Sequence, residues 1–435
     1  MAKSQTSQAW ARIGAIHHIE ERLANGESIS LSAQEIKELG GREPRLMTKF
    51  DTRASRPPLL SSATVLPVTN GSYVILPGDG YHDLIELTST TRWPLVKSVA
   101  ALRTLPWTTG PCSESQALDM ALAAGILGDF LDDPHARLTV RGRRRAPRFD
   151  FEFHCPASVE QVVVEGVQVE VDSGLEGDGI HLIEGKLGSR DDFHVRQLYY
   201  PLRMWQREVP EKKVSTVFMT WSNRRFELRM FSFEPANRYH AIKLVKAVDY
   251  VIEDESEVVS LAQILNSTEL EDLPKAPFPQ ADDIRKVIDI VDAVGSGTQD
   301  RTGIADKWNI DERQADYYGN AAIFLGLLLR TPRAFALSSF GSEFVRGGLT
   351  ERMIFLARRM TSLPVFRTVL EHAVVQSALP DHARVAELIA RSTGLTGATP
   401  LRRASTVIAW ARWMIDAFAE HLQVPIGGQG DHGDG

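Results

Sequence analysis

Acidic residues and a lysine recur at regular spacing in the stretch 167–187. In VQVEVDSG apolar and polar residues alternate, which is typical of a half-buried strand, and Glu170 and Asp172 fall on its polar face. The glycine-rich SGLEGDG then leads into IHLIEGK, which predicts an antiparallel hairpin. On the returning strand Glu184 and Lys186 share a face. The predicted register places Asp172 opposite Glu184 and Glu170 opposite Lys186.

Three carboxylates that converge with an ammonium group have a chemical use. Carboxylate oxygens suit Mg²⁺, which keeps several waters and also binds phosphate. A metal ion held by Asp172 and Glu184 would lower the pKa of a water and polarise a phosphodiester, and Lys186 would orient that water or stabilise developing charge. Glutamate-x-lysine triplets also occur on salt-bridged strand faces. The whole pattern favours a metal-dependent phosphodiesterase site over such a structural face.

Helices are predicted on both sides of the hairpin. ESQALDMALAAGILGDFL has helical periodicity, and Glu114 in its first turn is either a further acid at the metal site or a complement to the helix dipole. The stretch DDFHVRQLYYPLRMW is predicted to be helical, with Asp191 or Asp192 as N-cap and with Pro201 as a kink or an end. Gln197 in that helix lies either at the metal site or on the surface.

Two clusters of basic residues precede the hairpin. Because guanidinium groups bind phosphates and guanine edges, each cluster is either a solvated surface or a DNA contact. The first cluster, in REPRLMTKFDTRASRPP, consists of Arg42, Arg45, Lys49, Arg53 and Arg56. The second lies in RLTVRGRRRAPRFDFEFHC, and its candidate DNA-binding residues are Arg141, Arg143, Arg144 and Arg145.

The chain divides by composition into several segments. Residues 10–40 are predicted to form two helices, with a capping box from Ser32 to Glu35, and Asn70-Gly71 predicts a hairpin. The segment 254–282 is acidic and contains prolines, as linkers do. We therefore predict an N-terminal α+β domain with a possible DNA contact (1–110), a central α/β domain (111–253), a linker (254–282), two C-terminal modules (283–348 and 349–425) and a flexible tail (426–435).

The two C-terminal modules are predicted to be mainly helical. The first has the order helix, turn, helix and β-wing of a winged helix-turn-helix, with Asp311 capping a recognition helix whose Arg313 and Gln314 suit base edges or phosphates. The second is a helical or winged-helix module with Arg402 and Arg403 on a basic helix. Winged helices also bind proteins, so dimerisation is the alternative to DNA binding.

Composition restricts the class of protein. A chain of 435 residues with 43% hydrophobic residues can bury several cores. The net charge of −7 means that any DNA contact must come from local basic patches. Two cysteines without metal-ligand spacing argue against a disulfide framework or a zinc site. Since no stretch of about 18 apolar residues occurs, we expect a cytoplasmic protein without a membrane segment.

The spacing of Asp172, Glu184 and Lys186 resembles the PD-(D/E)XK nuclease motif, in which an Asp begins the second core strand and Glu-x-Lys ends the third. One difference is that Val171 precedes Asp172 where the motif has proline. With the two C-terminal modules, most of the chain resembles type II restriction endonucleases of that superfamily. The stretches that carry this resemblance are EPRLMTKFD, VLPVTNGSYVI, GRRRAPRFDFEF, VEVDSGLEGDGIHLIEGK, RQLYYPLRMW, RQADYYGNAAIFLGL and LRRASTVIAWARWMI.

The resemblance implies a restriction-endonuclease-like mixed-sheet core and Mg²⁺-dependent, sequence-specific cleavage of double-stranded DNA by a homodimer, as in restriction-modification. It assigns Asp172 and Glu184 to metal binding and Lys186 to positioning of the attacking water, with Glu170 or Glu114 assisting. A Gln such as Gln197 stands near the metal site in many of these enzymes. Two other functions remain open: a DNA-binding regulator on an inactive nuclease core, and a structure-specific DNA repair nuclease.

Overall fold

The fold combines α-helices with a large mixed β-sheet. The computed structural model describes residues 5–87, 89–252, 259–298, 300–308, 312–332 and 334–423. Buried apolar side chains within these ranges form four clusters, of which one lies in an N-terminal unit, two lie against the large sheet and one lies in a C-terminal helical unit. This is a mixed α/β, multidomain-like architecture, as the sequence predicts. None of the helices in the described ranges combines the length and hydropathy of a membrane span.

The N-terminal unit packs short helices on a three-stranded antiparallel sheet. Its elements are α1 (Gln5–His17), α2 (Ile19–Ala24), β1 (Ile29–Ser32), α3 (Ala33–Gly40), α4 (Pro44–Thr48), two 3-10 turns (Arg53–Ser55 and Pro58–Leu60), β2 (Ala63–Thr69) and β3 (Ser72–Pro77). The strand order is β1-β3-β2. Trp10 is buried, and its indole Nε1 donates to the carbonyl of Met47 at 2.8 Å.

Two local sequence signals in this unit, a capping box and a hairpin turn, are confirmed. Ser32 caps α3 in the predicted box, because its Oγ accepts from Glu35 N at 3.1 Å and Glu35 Oε2 accepts from Ser32 N at 2.7 Å. The turn at Asn70-Gly71 joins β2 to β3 as predicted. Strand β1 was not expected between the helices. It has only four residues and is held by its antiparallel pairing with β3, which helical periodicity cannot indicate.

The central unit contains the large sheet. Its elements are β4 (Tyr81–Asp83), β5 (Thr90–Trp93), α5 (Lys97–Ala100), α6 (Glu114–Ala123), α7 (Ile126–Phe130), β6 (Arg137–Arg145), β7 (Phe149–His154), β8 (Val159–Val164), β9 (Gln168–Glu176), β10 (Ile180–Leu187), β11 (Asp192–His194), α8 (Arg196–Glu208), β12 (Val214–Ser222), β13 (Arg225–Phe233) and β14 (Ile242–Ile252). Seven strands join in the order β5-β14-β13-β12-β10-β9-β6, with β10–β12 and β14–β5 parallel and the other neighbours antiparallel.

Alternation along the central strands sends apolar side chains to both faces of this sheet. Leu182 packs in the cluster that contains the apolar face of α8 and the β7–β8 hairpin, whereas Ile183 packs with α6 and α7. Glu184 and Lys186 lie at alternate positions after Leu182, so they emerge on the side of α8. This arrangement sets two candidate site residues at the end of a strand that is covered on both faces.

The predicted helix over residues 191–205 is wrong at its start. Asp192 lies in β11, which pairs with β4, and its carboxylate accepts from the backbone N–H of Arg53 at 2.8 Å. The helix α8 begins later, at Arg196, after Val195. Pro201 does not end the helix, since α8 continues to Glu208. Burial of the apolar face of α8 against the sheet offsets the backbone hydrogen bond that Pro201 cannot make.

The C-terminal unit is mostly helical and shares one core. Its elements are α9 (Leu261–Ser267), α10 (Ile284–Gly295), α11 (Arg301–Trp308), α12 (Glu312–Phe324), β15 (Leu328–Arg330), β16 (Phe335–Leu337), α13 (Ser339–Phe344), α14 (Leu349–Thr361), α15 (Pro364–Gln376), α16 (His382–Thr393) and α17 (Thr399–Gln423). Three helices followed by the antiparallel hairpin β15–β16 have the order predicted for the first module. The second module contains only helices in its described residues. The predicted cap Asp311 lies outside the described residues.

The expected linker takes part in this core. Leu261, Ile264 and Phe278 are buried in the same cluster as Phe366 and Trp410, which lie far along the chain. Residues 259–282 therefore belong structurally to the C-terminal unit. Their acidic, proline-containing composition resembles that of a linker, but the apolar residues among them are spaced so that they can cover the helices.

Hydrogen bonds join the C-terminal unit to the central sheet. Asp289 on α10 accepts from Ser189 N at 2.7 Å and from Ser222 Oγ at 2.8 Å, and burial raises the pKa of Asp289 to about 6. From the turn between β12 and β13, Arg224 Nε donates to the carbonyl of Gly347 at 3.1 Å, and its Nη1 donates to that of Trp107 at 3.3 Å. The end of the central sheet is thus fixed against the helical unit.

Candidate functional site

The hairpin of β9 and β10 positions the candidate acids. Its antiparallel pairing runs from Ile180 opposite Glu176 to Ile183 opposite Ser173. Beyond that pair the Asp172 side chain takes the place of the backbone acceptor, since its Oδ2 accepts from Gly185 N at 3.0 Å. The strands therefore separate where the acids begin, and the Asp172 carboxylate is fixed beside the backbone that carries Glu184.

The predicted position of Glu170 opposite Lys186 is wrong. Glu170 pairs instead with Arg143 on the other neighbouring strand, β6, and its Oε2 lies 3.0 Å from Arg143 Nε. The cause is the separation of β9 from β10, which leaves the start of β9 hydrogen-bonded to β6 alone. Of the two candidate assisting acids, Glu170 is therefore held by an arginine.

Lys186 lies at the centre of a cluster of polar side chains. Its Nζ donates to Glu184 Oε1 at 2.6 Å and lies 3.5 Å from Glu114 Oε1 at the start of α6. Gln197, in the first turn of α8, donates from Nε2 to the same Glu184 oxygen at 2.8 Å. Glu184 and Lys186 have only 12% and 10% of their side chains exposed. We call Glu114, Asp172, Glu184 and Lys186 the acidic cluster.

Burial and mutual charge shift the pKa values of this cluster. Burial raises the pKa of Glu184 to about 8, and the charges of Asp172 and Glu114 add to that rise, against the opposing effect of Lys186. For Lys186, burial acts to lower the pKa, but Glu184, Glu114 and Asp172 outweigh it and raise the pKa above its ordinary value. The lysine therefore stays protonated at neutral pH. Three acids around one ammonium leave negative charge that a cation would neutralise.

The acidic cluster lies in a cleft of about 460 Å³ between the central and N-terminal units. One wall is built by β9, β10 and α8. The other comes from α4 and the segment after it, and from the β2–β3 hairpin. The polar and charged side chains that line the cleft include Arg45, Thr48, Lys49, Asp51, Asn70, Tyr73, Glu114, Arg143, Glu170, Asp172, Glu184, Lys186, Arg196 and Gln197. A volume of this size suits a small ligand or a short piece of a polymer.

The donor set fits a hard divalent cation such as Mg²⁺. Among the residues that the structure describes, no three His, Cys, Asp or Glu side chains form a ready-made metal site. Magnesium, however, is usually held by one or two carboxylates together with waters and substrate phosphate. Asp172 and Glu184 supply two carboxylates in one cleft, and the buried Gln197 Oε1 has no hydrogen-bond partner in the described part of the chain. Asp172 and Glu184 are therefore the residues that would hold the ion.

The arginines of the second basic cluster lie along β6, which is the edge strand of the large sheet and is largely exposed. Arg141 Nη2 lies 2.7 Å from Asp119 Oδ1, and the Arg144 guanidinium lies 5.1 Å from the Trp205 ring. Only Arg143 of the four candidates, which also include Arg145, lines the cleft. Most of this cluster therefore lies outside the cleft.

The candidate DNA-binding residues of the C-terminal unit are not brought to the acidic cluster. Arg313 and Gln314 lie on α12, where Arg313 Nε donates to Tyr317 Oη at 2.7 Å. Arg402 and Arg403 lie on α17, and burial lowers the pKa of Arg403. The cleft is lined by residues between Arg45 and Pro201. None of these four side chains therefore lines the cleft.

Asp51 and Arg196 line the cleft but were not singled out from the sequence. The signal for Arg196 is its position directly before Gln197, ten residues after Lys186. Asp51 carries no comparable signal, because it belongs to the N-terminal unit and meets the site only through tertiary packing.

Three family models match successive parts of the chain, and each is described as a domain of unknown function. They are DUF6996 over residues 7–75, DUF6997 over residues 78–251 and DUF7226 over residues 286–419. No curated protein and no solved structure gives a match. The three matched stretches coincide closely with the N-terminal, central and C-terminal units, and the cleft lies between the first two.

Proposed function

We propose that this protein is a Mg²⁺-dependent DNA endonuclease with a restriction-endonuclease-like core of the PD-(D/E)XK type. One observation carries the proposal: Asp172, Glu184 and Lys186 line a single cleft at the point where β9 and β10 separate. The central strand order and the helices on both faces supply the mixed-sheet setting that the motif requires. Glu114 and Gln197 complete the cluster from α6 and α8.

Each side chain has a role that follows from its contacts. When bound, Mg²⁺ would polarise the phosphodiester and activate a water for attack. Asp172 is held by Gly185 N–H and Glu184 by Gln197, so both ligand carboxylates are oriented in advance. The protonated Lys186 would position the attacking water and stabilise charge on the phosphoryl oxygens. Glu114 is the better assisting acid, because it contacts Lys186 whereas Glu170 is paired with Arg143.

The proposed substrate is double-stranded DNA, cut at a specific sequence as by a type II restriction enzyme. The helix order α10, α11 and α12 followed by the β15–β16 hairpin supports a winged-helix reader in the C-terminal unit. Cleavage of both strands by one active site per chain would use a homodimer, which light scattering of the purified protein tests. Action in the cytoplasm, where such an enzyme meets foreign DNA, completes the proposal.

A digestion experiment tests the proposal. Purified full-length protein is incubated with plasmid and phage DNA in Mg²⁺ and, in parallel, in EDTA. We expect discrete fragments in Mg²⁺ and intact DNA in EDTA. Intact DNA under both conditions, across several DNAs of different sequence, would contradict the endonuclease proposal.

Two other outcomes correspond to the alternative functions. DNA that is bound tightly but never cut would favour a DNA-binding regulator on an inactive core, for which the winged-helix-like modules of the C-terminal unit would be the working parts. Cleavage of branched or damaged DNA without sequence-defined fragments would favour a structure-specific repair nuclease. Parallel assays with a plain duplex and with a branched duplex of the same sequence separate these outcomes.

A further inference from the structure

The N-terminal unit supplies one wall of the cleft that holds the acidic cluster. Its contributions are Arg45 and Thr48 on α4, Lys49 directly after that helix, and Asn70 and Tyr73 at the β2–β3 hairpin. In the described part of the chain, the C-terminal unit contributes no lining residue. A DNA strand in the cleft would therefore contact the N-terminal unit on one side and the acidic cluster on the other.

Several cations in the cleft are already paired with carboxylates. Arg143 Nε lies 3.0 Å from Glu170 Oε2, and Lys49 Nζ lies 3.5 Å from Asp51 Oδ2. Lys186 is held within the acidic cluster. These pairs limit the ability of the three cations to attract a phosphate, since an anion would have to compete with a carboxylate that is already in place.

Arg45 and Arg196 differ from those cations. Arg45 is exposed on α4, Arg196 is half-buried at the start of α8, and neither side chain makes a hydrogen bond or an ion pair with any described residue. The Arg196 Nε–H is buried without an acceptor. Burial, reinforced by the charge of Arg196, lowers the pKa of the neighbouring His194, and burial raises the pKa of Tyr200 against the effect of that charge, so both groups are neutral.

Partial burial of a guanidinium whose N–H groups lack acceptors costs free energy. An anion that accepts those hydrogen bonds would remove this cost. Its planar fork matches two oxygens of a phosphate, which is the anion that the proposed function brings to this cleft. The acids of the cluster would repel the phosphates of a DNA strand, so a cation on each wall is needed to hold the strand beside them. Arg45 and Arg196 occupy those two walls.

We propose that Arg45 and Arg196 form a phosphate clamp that holds the DNA strand on both sides of the acidic cluster. This inference rests on the proposed function, because it takes the DNA backbone as the ligand. It assigns the N-terminal unit a direct part in substrate binding, in addition to any contact made by the C-terminal unit.

Salt-dependent binding of DNA tests the clamp. The full-length protein is titrated in EDTA, where no cleavage is expected, against a labelled 30-base-pair duplex and the matching single strand over a range of NaCl concentrations. The ligand that binds more tightly is used for Arg45→Ala, Arg196→Ala, Arg196→Lys and the double alanine variant. Arg22→Ala and Arg207→Ala serve as controls, because these arginines pair with Glu27 and Asp150 outside the cleft.

Each lost phosphate contact should lower the slope of log affinity against log salt by about 0.9 for duplex DNA or about 0.7 for a single strand. We expect Arg45→Ala and Arg196→Ala each to show this loss with several-fold weaker binding, and the double variant to show about twice the loss. Arg196→Lys should keep the slope because it keeps the charge, while binding more weakly than the wild type. Both controls should match the wild type.

Three results would overturn the clamp: wild-type salt slopes in Arg45→Ala and Arg196→Ala, equal losses of slope in the control variants, or no binding of either DNA. The result can be separated from the proposed function. Cleavage in Mg²⁺ with unchanged slopes in the variants would reject the clamp alone. Reduced slopes without any cleavage in Mg²⁺ would reject the nuclease and retain the clamp. A melting curve for each variant shows that lost binding does not come from unfolding.

Discussion

At the scale of single residues, the grouping of Asp172, Glu184 and Lys186 was predictable from spacing, but most of their individual contacts were not. The alternation in β9 and β10 placed Asp172, Glu184 and Lys186 together, because strand geometry fixes which side chains share a face. The partner of Glu170 was missed because a one-dimensional pattern does not show where two strands separate. Because the strands separate, Glu170 forms an ion pair with Arg143, and Glu114 is the candidate assisting acid that lies near Lys186.

Gln197 offers a test of how the carboxylates are oriented. Its amide donates to Glu184, which makes it an outer partner of a proposed metal ligand. We predict that Gln197→Ala weakens Mg²⁺ binding by about tenfold or more, the usual effect of losing such a partner. Isothermal titration of the DNA-free protein measures this. Gln206→Ala on the same helix, outside the cleft, is the control, and equal Mg²⁺ affinities for the two variants would count against the assignment.

At the scale of elements, local sequence signals predicted the structure correctly. Elements that form only by pairing with a distant part of the chain were missed. Ser32 and Glu35 form a capping box whose parts are three residues apart, and the Asn70-Gly71 turn is equally local. The strand β11 has three residues and exists because it pairs with β4, about 110 residues earlier in the chain. Its Asp192 suits a helix cap and an edge strand alike, so only the tertiary partner decides between them.

A buried ion pair fixes two helices of the C-terminal unit. Arg352 on α14 donates from Nη1 to Asp292 Oδ2 at 3.0 Å and from Nη2 to Oδ1 at 2.8 Å, and the arginine is fully buried. Arg352→Ala would leave a buried carboxylate without its partner. We predict a loss of about 3–5 kcal/mol in the free energy of unfolding, measured by urea denaturation followed through a signal of the C-terminal unit.

The matched control for this pair is Arg391→Ala. Arg391 and Glu387 form an exposed pair one turn apart on α16, so its loss should cost at most about 0.5 kcal/mol. If both arginine variants lose similar free energies of unfolding, the buried pair does not stabilise the unit in the way proposed.

His194 should make the junction between the N-terminal and central units sensitive to acid. Its backbone N–H donates to the backbone carbonyl of Asp51 at 3.0 Å, and its Nδ1 accepts from Arg196 N at 3.2 Å. Burial, reinforced by the charge of Arg196, lowers the pKa of His194 well below its ordinary value. The unfolded chain takes up a proton below about pH 6.5, whereas the folded chain does not. The contribution of neutral His194 to the free energy of unfolding is therefore fully present above that pH and is lost as the pH falls below it.

We predict that between pH 7 and pH 5 the wild type loses about 2 kcal/mol more free energy of unfolding than His194→Gln does. Urea denaturation at several pH values measures the difference. The exposed His135 gives the control variant His135→Gln, whose pH dependence should follow the wild type. Parallel curves for the wild type and His194→Gln would show that His194 does not carry the effect.

At the scale of the whole molecule, the sequence predicted the classes of structure better than their arrangement. The central α/β unit and the helical C-terminal unit are present as expected. The position of the N-terminal unit against the acidic cluster was not predictable, because Arg45 and Asp51 lie more than a hundred residues before the motif and carry no spacing that relates them to it. We therefore propose that substrate contact beside the acidic cluster comes from the N-terminal wall, because no described residue of the C-terminal unit lines the cleft.

Cleavage by Lys186→Ala tests the central claim most directly. The ammonium of Lys186 contacts Glu184 and Glu114 but is not a proposed metal ligand, so its removal should leave Mg²⁺-free DNA binding in place while removing charge stabilisation and water positioning. Lys212→Ala is the control, since Lys212 forms a similar 2.7 Å pair with Glu176 outside the cleft. With plasmid DNA and Mg²⁺, we predict discrete fragments from the wild type and Lys212→Ala and a rate at least about a thousandfold lower from Lys186→Ala. Cleavage by Lys186→Ala at the wild-type rate would contradict the assignment of this cleft as the active site.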